Sequence, residues 1–317
     1  MKSKIFAILG VIVVSAMILA IVVFGVLNKK EPDANFGDGG KIKVITTLFP
    51  IYDMAKYIAG DKADATLLLP PGVEAHSFEP KPSDVVKINE ADIFVYTGKF
   101  MEPWAEDIIK GLDGKNVIVI DSSFGVKMIP AVFYDVDEPK GSADPHVWLD
   151  FDNAKILAEN IGNALIQKDP ANKELYSQNL ESYKNELAKI DNEYRISLSV
   201  CKNKEIIYAG HYAFGYLASR YGLKYLSAQG VSPDSEPTAQ DFINLISQIK
   251  ENNINYVFYE ELSSPKIAQT IADETNAKLL LLNAAHNLSK QDMENGLTFF
   301  QILRNDLSNL KIGLRCE

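Results

Sequence analysis

This chain of 317 residues contains four histidines, His76, His146, His211 and His286. Imidazole titrates near neutral pH and is the commonest protein ligand for transition metals. Each of the four stands at or just after the end of an apolar, strand-like run. His76 follows the run 65–69 within PPGVEAHSFEP, and His146 lies in DPHVWLD ahead of a helical pattern. His211 sits in AGHYAFGYL directly between a strand and a helix, and His286 follows the run 278–283 by three residues. In open parallel sheets the carboxyl ends of the strands form the ligand crevice. With two histidines from each half of the chain, a common site can form only between the halves. Spacing by itself leaves two readings open: one shared metal site, or four unrelated structural histidines.

If shared, the site suits a particular chemistry. Zn²⁺ accepts tetrahedral nitrogen ligands at about 2.0–2.1 Å, whereas Mn²⁺ and Mg²⁺ prefer oxygen. Four imidazoles fill the coordination sphere and leave no place for an activated water, so binding or transport is expected, with no catalytic residue. The local HExxH pair of metalloproteases is missing from the sequence. The enzymatic alternative is a hydrolase with three His ligands and a water, using Glu74 or Glu261 as base. Four neutral ligands leave the charge of the ion uncompensated, so carboxylates are expected behind them. Glu74, Glu79, Asp144 and Asp150 are the candidates by adjacency, each equally readable as an ordinary surface acid. Glu260 and Glu261, just after the run 256–259, line the cleft or cap the next helix.

The composition is that of a soluble globular chain, 47% hydrophobic and 23% charged, which excludes disorder, collagen and coiled coil. The length is enough for two packed lobes. With 42 acidic against 32 basic residues the net charge is −10, which argues against nucleic acid as a partner. Cys201 and Cys316 cannot build a thiolate zinc cluster; in an oxidising compartment they are expected to bridge.

The N-terminus is a different material. Residues 5–27 carry no charge, and Gly10, Ser15 and Gly25 are their only non-apolar members. As a helix the run reaches roughly 35 Å, the span of a bilayer core. Lys2 and Lys4 precede it, which keeps the N-terminus inside and sends the rest across. The run is longer than a signal-peptide core and no small-x-small site closes it, so an uncleaved anchor is expected in place of a removed signal. No cysteine lies near it, which excludes lipid attachment through an N-terminal cysteine. Residues 31–40 (EPDANFGDGG) read as a flexible tether.

From residue 41 strands and helices alternate, the pattern of parallel sheets covered on both faces. Strands are expected at 43–48, 65–69, 93–97 and 117–121, with helices up to 58, at 83–89 capped by Ser83, and at 104–111. An amphipathic helix at 151–167 precedes a long charge-rich helix from 171 to about 199. Strands at 205–209, 223–228, 256–259 and 278–283 then alternate with helices at 213–221, 239–252 and 265–275, before a closing helix at 291–310. The organisation read from this is α/β: an anchor and tether over 1–40, an α/β lobe over 41–168, a linker helix over 169–202 and a second α/β lobe over 203–317.

The segments TTLFPIY (46–52), GVEAHSFEP (72–80), ADIFVYTG (91–98), DPHVWLD (144–150) and GHYAFGYLASRYGL (210–223) carry a resemblance. Over about residues 42–315 the chain resembles the metal receptors of ABC importers, the solute-binding proteins for zinc and manganese. The resemblance implies two α/β lobes joined by one rigid helix, with the metal between the lobes. It places His76, His146 and His211 at the first three ligand positions. Manganese receptors are expected to carry a carboxylate at the third, so His211 points to Zn²⁺, with Mn²⁺ the alternative cargo. Many relatives use Asp or Glu at the fourth position. Here Asn283 or His286 is available, and imidazole is the better zinc ligand, which selects His286. The long His-rich loop of some zinc receptors is missing; 128–143 is merely acidic. The function implied is an extracytoplasmic zinc receptor that hands Zn²⁺ to an ABC transporter permease, a monomer held to the membrane by its N-terminal anchor. A manganese or iron receptor and a surface adhesin on the same fold are the alternatives.

Overall fold

The computed structural model describes residues 40–131, 142–230, 238–262 and 266–316. The expected anchor at 5–27 and nearly all of the tether lie outside them, as does most of the acidic stretch 128–143. Among the described residues no helix is long and apolar enough to cross a membrane.

The first sheet is built from β1 (Ile42–Thr46), β2 (Ala63–Leu67), β3 (Ile93–Tyr96) and β4 (Ile118–Asp121) in the order β2-β1-β3-β4. Every pair is parallel, with Ile42 opposite Ala63, Val44 opposite Ile93 and Ile93 opposite Ile118. The crossovers carry α1 (Phe49–Ala59), α2 (Pro82–Asn89) and α3 (Ala105–Gly111). The second sheet repeats the order as β6-β5-β7-β8, from β5 (Glu205–Ala209), β6 (Lys224–Ser227), β7 (Tyr256–Tyr259) and β8 (Lys278–Leu281). Its helices are α6 (Gly215–Tyr221), α7 (Ala239–Glu251) and α8 (Lys266–Thr275). Both lobes are therefore the α/β units that the alternation predicts. In each, the strand order reverses beside the first strand, which opens a crevice at the carboxyl ends.

Between the sheets run α4 (Phe151–Lys168) and α5 (Lys173–Ser199). Asp150 starts α4 by accepting the backbone N–H groups of Asp152 and Asn153. The 27 residues of α5 span about 40 Å. Its buried residues Tyr176, Leu180, Tyr183, Leu187, Ile190, Tyr194 and Leu198 recur every three or four positions and form one apolar stripe. That stripe packs on α1 and α4 of the first lobe and on α10 (Phe299–Gly313) of the second. Each such side chain, fully buried, is worth about 1.5–3 kcal/mol. One continuous buried cluster thus reaches from Val44 and Phe49 through α5 to Phe258 and Phe299.

Several boundaries differ from expectation, each for a local reason. The helix expected at 83–89 starts at Pro82 with Lys81 as N-cap, since proline has no N–H to lose in a first turn. The single closing helix expected at 291–310 is two, α9 (Lys290–Glu294) and α10. Gly296 turns left-handed at φ +70° and Thr298 restarts the helix by accepting from Gln301 N. Helix α6 begins at Gly215, not 213, because the chain bends at Tyr212 and stays non-helical to Phe214. Cys201 and Cys316 are disulfide-bonded, which ties the end of α5 to the end of α10.

Candidate metal centre

His76, His211 and His286 follow the carboxyl ends of β2, β5 and β8, whereas His146 stands far beyond β4, directly before the short helical turn Val147–Leu149 that leads into α4; the fold brings all four together. His76 is in the loop after β2, and its backbone N–H donates to Glu74 Oε1 at 3.0 Å. His146 follows Asp144-Pro145, and its backbone N–H and Nδ1 both meet Asp144 Oδ1, at 3.0 and 2.7 Å. Both of these residues are fully buried. His211 leaves β5 with Nδ1 2.5 Å from Glu260 Oε1, and Glu260 itself leaves β7. Between β5 and His211 stands Gly210. A Cβ there would lie 2.6 Å from Tyr208 Cε1 and 2.7 Å from Glu260 Oε2, so only glycine lets the chain pass. His286 is buried, with Nδ1 3.9 Å from Glu261 Oε1 and no hydrogen-bond partner at Nε2.

The rings converge on one point. All six ring-centroid separations fall between 4.8 and 5.3 Å. One nitrogen from each ring lies within 4.8 Å of the other three. Nε2 of His146 is 3.3 Å from Nε2 of His76 and 3.2 Å from Nε2 of His211. Four nitrogens at tetrahedral zinc distances would stand about 3.3 Å apart. Among the described residues this is the one group of His, Cys, Asp and Glu with such geometry.

The proton positions leave ring lone pairs facing one another inside the cluster. A carboxylate only accepts, so Nδ1 of His146 and of His211 each carry the proton that meets Asp144 or Glu260. That leaves Nε2 of His146 with its lone pair aimed into the cluster, where two other ring nitrogens face it. A single proton can bridge one pair at most; a divalent cation takes all four lone pairs at once. Burial pushes His76, His146 and His286 well below the ordinary imidazole value, with the charge of neighbouring imidazoles adding to it. Burial acts on His211 in the same sense, but Glu260 outweighs it and raises His211. Burial and the charge of Glu260 push Glu261 up to about 8.

Of the carboxylates expected behind the ligands, Asp144 is there, and Glu74 holds the His76 backbone. Glu79 is exposed. Asp150 is committed elsewhere: it caps α4 and pairs with Arg220 at 3.0 Å. Glu260 and Glu261 line the cleft behind His211 and His286. Asn283 serves the turn that carries His286, its Oδ1 accepting from Ala285 N at 2.7 Å. Two residues escaped the sequence reading. Trp148 donates Nε1–H to Ala284 O at 2.8 Å, and Asn287 donates to Pro70 O and Val73 O. Such contacts join segments over a hundred residues apart, and no local pattern reports them.

Comparison with known proteins agrees with this geometry. Residues 44–313 match the family described as ZnuA, zinc-uptake complex component A, periplasmic. The chain is 35% identical over 312 residues to the high-affinity zinc uptake system protein ZnuA of Bacillus subtilis, covering 96% of this chain and 97% of that one. It is 34% identical over 289 residues to the zinc-binding protein AdcA of Streptococcus pyogenes, covering 86% of this chain but 56% of AdcA. The crystal structure of the Zn(II)-bound ZnuA-like domain of Streptococcus pneumoniae AdcA superposes with a TM-score of 0.75 at 35% identity, covering 87% of this chain and 99% of that domain. With its two lobes, long connecting helix and cluster of imidazoles between the sheets, the chain belongs to the ZnuA family of periplasmic zinc-uptake components.

Proposed function

We propose that this protein captures Zn²⁺ outside the cytoplasm with His76, His146, His211 and His286 as its four ligands and passes the ion to an ABC transporter permease. The carrying observation is the convergence of four ring nitrogens at tetrahedral spacing with carboxylates fixing the rings from behind. Zn²⁺ suits this set because it accepts four nitrogens in a tetrahedron; Mn²⁺ would be left without oxygen ligands. A sphere filled by four imidazoles gives no open position for substrate or water, so the reading is a carrier and not a catalyst. The ion sheds its water shell as the lobes bring the rings to it. Residues 5–27 act as an uncleaved membrane anchor, residues 31–40 as a tether, and the receptor works as a monomer. Its lobes are taken as 41–168 and 203–317, with 169–202 as the linker between them.

Calorimetry on metal-stripped protein tests the ligand set. Sub-micromolar Zn²⁺ binding is expected, abolished in His146→Ala and weakened in each of the other three single alanine variants. Unchanged binding in all four variants would overturn the assignment.

A further inference from the structure

Chain order assigns two histidines to each lobe, but the hydrogen bonds divide them differently. After β8 the chain is first held by the second lobe. Leu282 N donates to Tyr259 O at 3.0 Å, Asn283 N to Asp306 Oδ1 at 2.9 Å, and Ala284 N to Glu261 Oε2 at 3.1 Å. From Ala284 O to Leu288 O the backbone carbonyls with non-local partners turn to the first lobe, although Ala285 N still donates to Asn283 Oδ1 and the His286 ring keeps Glu261 of the second lobe 3.9 Å from its Nδ1. Trp148 Nε1 donates to Ala284 O at 2.8 Å and Phe49 N to His286 O at 3.1 Å. Gly72 N donates to Leu288 O at 2.8 Å. The changeover falls at Ala285, a fully buried residue in the left-handed region at φ +62°.

Asn287 completes the attachment. It is 1% exposed, and its side-chain amide donates to Pro70 O at 2.7 Å and Val73 O at 2.9 Å, in the loop that carries His76. Its Oδ1 accepts from Leu288 N at 2.8 Å. One side chain thus staples the His286 loop to the His76 loop. The hydrogen bonds of His211, by contrast, go to Glu260 and Tyr225 of its own lobe, besides the ring contact with His146. Cross-lobe ties on that side come from α6, where Tyr216 Oη–H donates to Asp144 O and Arg220 pairs with Asp150 and Asp152.

We infer that His286 belongs mechanically to the first lobe, with Asn287 as its positioning residue, so that the site is divided three ligands against one and opening withdraws His211 alone. This rests on the ligand set proposed above. An ion in the opened protein keeps three imidazoles on a fixed wall, and release is governed by the return of His211.

Spin labels test the division in the full chain with its native disulfide. A shared label replaces exposed Asp61 in the first lobe; its partner replaces either Lys250 on α7 or Lys290 just beyond Leu288. Chelating Zn²⁺ is expected to change the 61–250 distance and leave 61–290 unchanged. If both distances shift together, or neither does, the three-to-one division is wrong. Asn287→Ala is expected to weaken Zn²⁺ binding about 10–100-fold, the usual cost of losing a support behind a metal ligand, and to broaden the 61–290 distance distribution. Asn287→Asp, which keeps the acceptor for Leu288 N but removes both donors, gives the same readout should the alanine variant not fold. Native affinity and an unbroadened distance in these variants would remove Asn287 from this role. His146→Ala separates the two readings: if it abolishes binding while the distances contradict the division, the ligand set stands and only this inference falls.

Discussion

At the residue scale the site depends on which ring nitrogen holds a proton. Asp144 and Glu260 fix the protonated nitrogen of His146 and His211 on the outer side and direct the lone pairs inward. Glu260→Gln and Asp144→Asn keep the shape but lose the charge, and each is expected to weaken Zn²⁺ binding about 10–100-fold in competition with a chromophoric chelator. Acid should also expel the ion. In the ion-free protein Glu260 raises His211 above the ordinary imidazole value, while burial lowers the other three. Zn²⁺ needs the neutral form of every ring, so affinity should fall as pH drops, with His211 the first ring whose proton competes with the ion. An affinity unchanged between neutral pH and mild acid would contradict this. The four histidines themselves were legible from scarcity and from their places after strands. Their proton assignments were not, because Glu260 lies 49 positions from His211 and reaches it only through the pairing of β5 with β7.

At the scale of elements, α4, α5 and α6 are locked by one guanidinium. Arg220 on α6 donates Nε–H and Nη2–H to the two oxygens of Asp191 on α5, both at 2.8 Å, and Nη1–H to Asp150 and Asp152 at the start of α4. Tyr221 Oη–H adds a 2.7 Å bond to Asp191. Burial acts to raise Asp191, but Arg220 and Tyr221 outweigh it and hold it at about 2. A carboxyl with a depressed folded-state pKa stabilises the fold above its unfolded value of 3.8, and that contribution disappears as pH falls toward 2. Asp191→Asn should therefore lower the denaturant midpoint at pH 7 and have little effect at pH 2; an equal loss at both would deny the ion pair its role. The alternation of strands and helices, and the apolar stripe of α5, were plain in the sequence because period 2 and period 3.6 are local properties. The split of the closing helix was signalled by Asn295-Gly296 followed by Thr298, but the apolar spacing on either side concealed it.

At the scale of the whole molecule, α5 and the disulfide decide how the second lobe is closed. Cys201 and Cys316 are 115 residues apart and seal the ends of α5 and α10 against each other. The chain-entropy argument gives a loop of that size roughly 4–5 kcal/mol of stabilisation. Reduction, or Cys201→Ser with Cys316→Ser, should lower the guanidinium midpoint of the oxidised protein by a corresponding amount while Zn²⁺ affinity stays within a few-fold, since neither cysteine touches the histidines. A large loss of affinity on reduction would show that the far end of the second lobe is coupled to the metal centre.

The sequence by itself determined the two α/β lobes, the long helix and the four residues able to bind a soft-to-borderline cation, because these follow from side-chain type and short-range periodicity. Only the tertiary structure decided that the four imidazoles meet within 4.8 Å, that Glu260 and Asp144 orient two of them, and that the His286 loop is bound to the opposite lobe from the strand that precedes it. Those outcomes depend on hydrogen bonds between segments more than 200 residues apart, such as Asn287 with Pro70, 217 positions away, whose partners are chosen by packing and not by neighbours in the chain.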